Sequence, residues 1–189
     1  DNTLEYFKMR AGWVVTMKSG YNYSLNAVCN VEDLREPLSL SEKTWVPEGS
    51  YTFYSFNSNL STPRGRLVGF AMSVDAGNFY DGWRLSPEIS VYKNISSHLE
   101  LSGSYQLNRV SFYDRHQQFN AHIGRLRVLA MLNVRYTLTA FTQYNSVTDK
   151  VITNLRLRYN PREGNNLYIV YDEGLNIDRN REEPLLPIS

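Results

Sequence analysis

The sequence has no long hydrophobic run. None of its 189 residues lies in a stretch that approaches the roughly 18 uninterrupted apolar residues of a membrane-spanning helix. The mean hydropathy is -0.44, and the sequence therefore predicts no transmembrane helix. A membrane β-barrel stays open as an architecture, because barrel strands alternate apolar and polar residues and so average to a polar hydropathy.

Cysteine and net charge are also scarce. Cys29 is the only cysteine, so the chain can form neither an intrachain disulfide nor a cysteine-based metal cluster. The 20 Lys and Arg residues are balanced by 19 Asp and Glu residues, and a formal net charge of +1 gives no overall attraction to nucleic acid. We therefore expect no nucleic-acid partner.

Motifs for catalysis and metal binding are missing as well. His98, His116 and His122 do not have metal-ligand spacing, and no HExxH motif, GxSxG motif or phosphate-binding glycine loop occurs. Asp172 and Glu173 are adjacent, but neighbours on a strand point to opposite faces and cannot act together on one bond. The sequence predicts no catalytic residue, no metal and no cofactor, and hence a protein that is not an enzyme.

Period-two alternation is the strongest signal that the sequence does contain. In residues 98–108, Leu99, Leu101, Tyr105 and Leu107 share one face with a glycine, and polar residues occupy the other. A run of about eleven residues is the length at which a tilted strand crosses a bilayer. The clear further segments are 21–31, 83–91 and 151–159, and the weaker ones are 4–17, 51–61, 66–76, 119–131, 135–145 and 166–173. The pattern predicts about ten strands and no amphipathic helix.

Short, turn-rich joints separate these strands. They lie at 18–20, 62–65, 93–97, 132–134 and 161–164. They alternate with longer or more polar joints, of which 32–50 is the longest. We expect an all-β, antiparallel up-and-down transmembrane β-barrel, with its short turns in the periplasm and the loop 32–50 outside the cell.

The apolar face of such a strand could point into a soluble core or toward lipid. Aromatic residues near strand ends favour lipid, because they suit the girdles at membrane interfaces. The predicted interfacial aromatic residues are Tyr21, Trp83, Tyr136, Tyr144 and Tyr159. The predicted lipid-facing residues are Leu99, Leu101, Leu107, Leu155 and Leu157. A closed soluble sandwich that buries these leucines in a common core would contradict this interpretation.

Charged residues at mid-strand lie on the opposite, polar face. The predicted lumen-lining residues are Arg125, Arg127, Arg156, Arg158, Glu88 and Glu100. One interpretation is a basic lumen that selects anionic or sugar-like solutes. The other is ion pairing within the barrel interior or with a plug, and the filled interiors of small barrels favour it.

Three segments near the C-terminus carry a resemblance to a known family. They are 141–149 (FTQYNSVTD), 154–159 (NLRLRY) and 166–174 (NLYIVYDEG). They resemble the C-terminal end of an outer-membrane β-barrel family, mostly of Bacteroidota, whose barrel follows a carbohydrate-binding module of the family-nine type. Segments 34–37, 46–51 and 76–82 fit the same family, so the resemblance covers nearly the whole chain. It implies a bacterial outer-membrane barrel and assigns that barrel no activity.

Two features depart from that family. The binding module is missing, and the sequence ends without the further strand, closed by an aromatic residue, that the family normally has. An open edge in lipid leaves backbone groups unpaired, so barrels must close. We therefore expect residues 1–189 to be one partial barrel, the C-terminal part of a larger protein, with a charged C-terminal loop at 174–189.

The resulting functional expectation is a bacterial outer-membrane barrel that serves as a channel, an anchor or a subunit of an envelope complex handling glycans or proteins. Its expected partners are outer-membrane lipid and further outer-membrane or periplasmic subunits. One alternative is a membrane-anchored glycan-processing protein whose catalytic or binding part precedes this sequence. The other is a soluble ligand-binding β-barrel.

Overall fold

The computed structural model describes residues 5–41, 43–63 and 65–177, and among them it contains only strands and connections, with no helix. None of these residues lies in a helix that is long and apolar enough to cross a membrane. The strands are β1 (Tyr6–Thr16), β2 (Asn22–Leu34), β3 (Leu38–Ser41), β4 (Thr44–Val46), β5 (Gly49–Ser61), β6 (Val68–Phe79), β7 (Gly82–Ser96), β8 (Leu99–Phe112), β9 (Gln117–Met131), β10 (Tyr136–Asn145), β11 (Lys150–Arg162) and β12 (Asn165–Asn176).

Ten of the strands form one sheet in the order β1-β2-β5-β6-β7-β8-β9-β10-β11-β12. Strands that are neighbours in the sheet therefore follow one another in the chain, apart from β3 and β4, which pair with each other. The sheet does not close on itself, so β1 and β12 are its edge strands within the described residues. The predicted all-β, antiparallel architecture of about ten strands is confirmed.

Several strands are longer than the alternation predicted. The turn predicted at 93–97 lies later, at Ser97 and His98, because β7 continues to Ser96. β11 likewise continues to Arg162, into the turn predicted at 161–164. β8 extends beyond the predicted end at residue 108, since Val110 and Phe112 pack into a small core. The extension of β8 interrupts the simple alternation, because its face that is polar at mid-strand becomes apolar near the strand end.

The predicted loop 32–50 is shorter in the structure. β2 continues to Leu34 and β5 begins at Gly49, and the residues between them contain the small β3–β4 sheet. The expected alternation of short and long joints is wrong. Two consecutive joints are short, since Tyr80 and Asp81 alone connect β6 to β7, and Ser97 and His98 alone connect β7 to β8. At the C-terminus β12 occupies 165–176, so the predicted loop begins later than 174. Its residues 178–189, with the charged Asp178, Glu182 and Glu183, lie outside the described residues.

The chain divides into two compact units. The first takes its residues from Asp1–Pro63, Ala71–Ile89 and Gln106–Ala121, and the second from Arg64–Phe70, Ser90–Tyr105 and His122–Ser189. The first unit contains a small core of Val46, Val110 and Phe112, with relative exposures of 0%, 2% and 1%. Partly buried side chains packed against it are Leu34, Leu40, Tyr51, Phe79, Tyr80 and Phe119.

The register of the first unit sorts side chains into two faces. The rows of its apolar face are Phe7/Val31/Thr52, Met9/Cys29/Tyr54, Ala11/Ala27/Phe56/Ala76, Trp13/Leu25/Ser58/Val74 and Val15/Tyr23/Leu60/Met72. The rows of its polar face include Gly12/Asn26/Asn57/Asp75, Val14/Ser24/Asn59/Ser73 and Thr16/Asn22/Ser61/Ala71. The apolar face is the exposed one, since on β5 Tyr54 is 59% and Phe56 61% exposed, whereas Phe53 and Ser55 on the other face are 6% and 5% exposed.

The second unit has the same division across β9 to β12. Its apolar face contains the rows Gly124/Tyr144/Val151/Leu175, Val128/Ala140/Leu155/Tyr171, Ala130/Leu138/Leu157/Ile169 and Tyr136/Tyr159/Leu167, together with the mixed row Leu126/Thr142/Thr153/Glu173. Its polar face contains the rows Arg125/Gln143/Ile152/Gly174, Arg127/Phe141/Asn154/Asp172, Leu129/Thr139/Arg156/Val170 and Met131/Thr137/Arg158/Tyr168. The strand register thus places one arginine in each of these four polar rows.

Candidate functional site

The polar face of the second unit brings the four predicted arginines together. Arg125 and Arg127 lie on β9, and Arg156 and Arg158 lie on β11, with one strand between them. The register places the four side chains in four successive rows of one face. Since successive rows on a strand face are about 7 Å apart, the arginines form an oblique basic track across β9, β10 and β11.

Polar contacts hold several members of this track in place. Arg127 Nη1 lies 3.9 Å from Glu100 Oε1, and Arg125 Nε donates a hydrogen bond of 3.0 Å to Gln143 Oε1. The first contact places Glu100 on the same face as Arg127. Both ends of the Arg127–Glu100 pair are partly exposed, so the pair contributes little to stability by itself.

The acidic groups on this face are also engaged. The amide of Asn154 donates to the carboxylate of Asp172 across β11 and β12. Glu88 belongs to the first unit, where it is half-buried on β7. The second unit therefore brings together five of the six predicted lumen-lining residues.

The polar face of the first unit has its own ion pair, which the sequence did not indicate. Arg84 Nη2 lies 2.7 Å from Asp75 Oδ1, and the guanidinium carbon lies 4.6 Å from the centre of the Phe79 ring. Ser86 is buried, and its hydroxyl has no hydrogen-bond partner in the described part of the chain. This polar face is thus more enclosed than the apolar one.

The predicted lipid-facing leucines are exposed or half-buried, and none belongs to the buried core. Leu101 and Leu155 are exposed, while Leu99, Leu107 and Leu157 are half-buried. Leu155 and Leu157 share the apolar face of the second unit with Tyr171 and Ile169. A common core of these leucines, which would mark a soluble sandwich, is not found among the described residues.

The predicted interfacial aromatic residues lie near strand ends. Tyr136 and Tyr159 are paired across β10 and β11, and their rings stack with centroids 4.6 Å apart. Tyr144 lies near the opposite end of β10, between Gly124 and Val151. Trp83 is the second residue of β7, and Tyr21 directly precedes β2.

An arginine in the β8–β9 connection is the main feature that sequence reasoning missed. Arg115 Nη2 lies 2.7 Å from Asp81 Oδ1, and its guanidinium carbon lies 4.2 Å from the centre of the Phe112 ring. The same side chain contacts the Trp45 ring at 5.9 Å and donates to the Trp45 carbonyl oxygen. Arg115 thereby links Trp45 of the β3–β4 sheet to Asp81 and Phe112 within the first unit.

Tyr80, which precedes Asp81 in the chain, extends this group of contacts around Arg115. Its hydroxyl donates a 3.1 Å hydrogen bond to Glu32 Oε2, and its ring packs edge-on against Tyr51 at a centroid distance of 5.2 Å. Burial, and then the neighbouring Glu32 carboxylate, raise the pKa of the Tyr80 phenol. The phenol therefore stays protonated and keeps donating to Glu32.

The histidines do not come together. His122 Nδ1 lies 2.7 Å from the Tyr105 hydroxyl, and His98 Nδ1 lies 2.9 Å from Ser97 Oγ. No group of three metal-ligating side chains occurs in the described part of the chain.

Comparison with family models, with curated proteins and with solved structures gives no match. The resemblance to an outer-membrane barrel family therefore stays a prediction from the sequence.

Proposed function

We propose that this chain forms part of the wall of a β-barrel in a bacterial outer membrane. In this function the apolar faces of the two units contact lipid, and the polar faces border an aqueous lumen. The barrel serves as a channel, an anchor or a subunit of an envelope complex. Lipid is its first partner, and further outer-membrane or periplasmic subunits are the second.

The observation that carries the proposal is the exposure of the apolar faces. Among the described residues, the buried hydrophobic ones are Val28, Val46, Phe53, Val110, Phe112 and Ala121. Tyr54, Phe56 and Leu126, large side chains of the apolar faces on interior strands, are instead more than half exposed. Monomeric soluble proteins rarely expose continuous apolar surface over several strands, whereas a membrane strand presents such a face to lipid.

The polar faces support the same orientation. Ion pairs and hydrogen bonds, rather than apolar packing, join Arg127 to Glu100 and Asn154 to Asp172 on the polar face of the second unit. A soluble barrel would place its apolar face inside and its charges in solvent. The opposite distribution of exposure in this chain favours the membrane barrel over the soluble ligand-binding barrel.

The test places an arginine on each face in turn. Leu101→Arg and Leu157→Arg put a charge on the apolar face, and each should cost about 2–4 kcal/mol near the bilayer midplane. Ser102→Arg and Asn154→Arg put the same charge on the polar face, where water and the neighbouring Glu100 or Asp172 can accommodate it. The measurement is denaturant unfolding of the full-length protein in lipid vesicles.

The paired design supplies its own control, because residues 101 and 102 are neighbours on β8. Chain position, strand and introduced side chain are nearly the same, and only the face differs. Equal losses at the two faces, or larger losses at Ser102 and Asn154, would contradict the lipid-facing orientation and the membrane function with it.

A further inference from the structure

Four polar side chains form a compact patch on the polar face of the second unit. Thr139 lies directly across from Arg156, and Thr137 lies across from Arg158, on the neighbouring strands β10 and β11. Paired residues of antiparallel strands lie about 5 Å apart, and successive rows lie about 7 Å apart. Two guanidinium groups and two hydroxyl groups therefore leave the backbone within one small area.

This patch has more hydrogen-bond donors than acceptors. Arg158 Nη2 lies 3.4 Å from Thr137 Oγ1, but Arg158 Nε is buried and has no hydrogen-bond partner in the described part of the chain. Arg156 forms no ion pair with any described residue. A guanidinium carries five N–H donors and no acceptor, so the patch is complementary to a group rich in acceptor oxygens.

Apolar side chains flank the patch within its own two rows. Leu129 and Met131 flank the two threonines on β9, and Val170 and Tyr168 flank the two arginines on β12. Neither row contains a carboxylate, and the Asp172 carboxylate of the next row accepts a hydrogen bond from Asn154. Arg156 is exposed, so a solute in water can reach the guanidinium groups and the apolar side chains beside them.

We propose that Thr137, Thr139, Arg156 and Arg158 form a binding site for small organic oxyanions, in which a carboxylate or phosphate is attached to an apolar body. Each guanidinium can hold an oxyanion through two parallel hydrogen bonds, and the threonine hydroxyls supply further donors. The apolar part of the ligand packs against the flanking side chains. This inference rests on the proposed function, because the lumen is what gives water-borne anions access to the polar face.

The test compares charged and neutral ligands of the same shape. Benzoate, phenyl phosphate and neutral benzamide are titrated by calorimetry into the full-length protein folded in detergent micelles. We expect the two anions to bind at least about tenfold more tightly than benzamide, because hydrogen bonds between charged partners contribute roughly twice as much as neutral ones. The tighter of the two anions identifies the preferred oxyanion.

Substitutions assign the binding to the patch. Arg156→Gln and Arg158→Gln should each weaken anion binding about tenfold, while benzamide should be unaffected. Arg156→Lys retains the charge but loses the two-pronged geometry, and it should weaken binding less. Arg109→Gln removes the same charge from an exposed position on β8 and should leave binding unchanged.

Two kinds of failure can be told apart. Equal binding of benzamide and the anions, or full anion affinity in Arg156→Gln and Arg156→Lys, would overturn the oxyanion site. Insertion into vesicles is measured separately by protection from added protease. A protein that inserts but binds neither anion contradicts the site alone, and one that binds anions in detergent but never inserts contradicts the membrane function alone.

Discussion

At the scale of single residues, Arg115 connects parts of the first unit that are far apart in sequence. Its partners Asp81 and Trp45 lie 34 and 70 positions away. No local pattern in the sequence links Arg115 to either partner. Its side chain is only 18% exposed, so the guanidinium depends on the Asp81 carboxylate and the aromatic rings for compensation.

Removing the Asp81 charge should loosen the β3–β4 sheet. Asp81→Asn keeps the side-chain size but leaves Arg115 without its counter-ion, at a cost of about 1–2 kcal/mol, because Asp81 is itself partly exposed. Hydrogen exchange should then become faster at the amides of Thr44–Val46. Asp114→Asn, the same change at an exposed acid in the same connection, should leave exchange there unchanged. Unaltered exchange in Asp81→Asn would refute the anchoring role.

At the scale of strands, two glycines lie beneath aromatic rings of a neighbouring strand. A Cβ atom at Gly69 on β6 would overlap the Tyr92 ring on β7, and one at Gly82 on β7 would overlap the Phe112 ring on β8. Rings that cover strand glycines protect the backbone and help to fix the pairing register. The period-two pattern could not reveal these contacts, because it reports the face of a residue and not its partner.

Gly69→Ala should therefore destabilise the protein by about 1–3 kcal/mol, as expected when a methyl group is forced into occupied space. Gly124→Ala is the matched control, since nothing lies within 4 Å of the position of its added Cβ. Adding Tyr92→Ala should remove most of the Gly69→Ala penalty in a double-mutant cycle followed by denaturant unfolding. A full penalty without the Tyr92 ring would contradict the packing explanation.

Strand existence was predictable, and strand ends were not. The alternation at 98–108 predicts β8, because half-buried strands need one apolar face along their length. The same rule stops short of Val110 and Phe112, where the apolar face changes sides and packs into the core around Val46. For the candidate site, alternation placed Arg156 and Arg158 on one face, but pairing with Thr137 and Thr139 required the register.

At the scale of the whole molecule, the proposed function divides side chains into those that meet lipid and those that meet water. Cys29, the only cysteine, lies on the apolar face between Met9 and Tyr54. In vesicles Cys29 should resist a membrane-impermeant maleimide and react after denaturation. Labelling is followed by mass spectrometry.

The matched variant moves the thiol to the polar face of the same strand. Cys29→Ser combined with Ser24→Cys places it beside Val14 and Asn59, where lumenal water should allow rapid labelling. Protection at residue 24 together with reactivity at residue 29 would reverse the assignment of the faces.

The meander order of the main sheet has a consequence for how such chains change in length during evolution. Because each strand pairs only with its sequence neighbours, apart from the step from β2 to β5, a duplicated or deleted hairpin at either edge would leave all remaining pairings in place. The width of the sheet can then vary in steps of two strands without rethreading the chain. In a sheet with crossover connections, consecutive strands lie apart, so deleting two of them would break pairings inside the sheet.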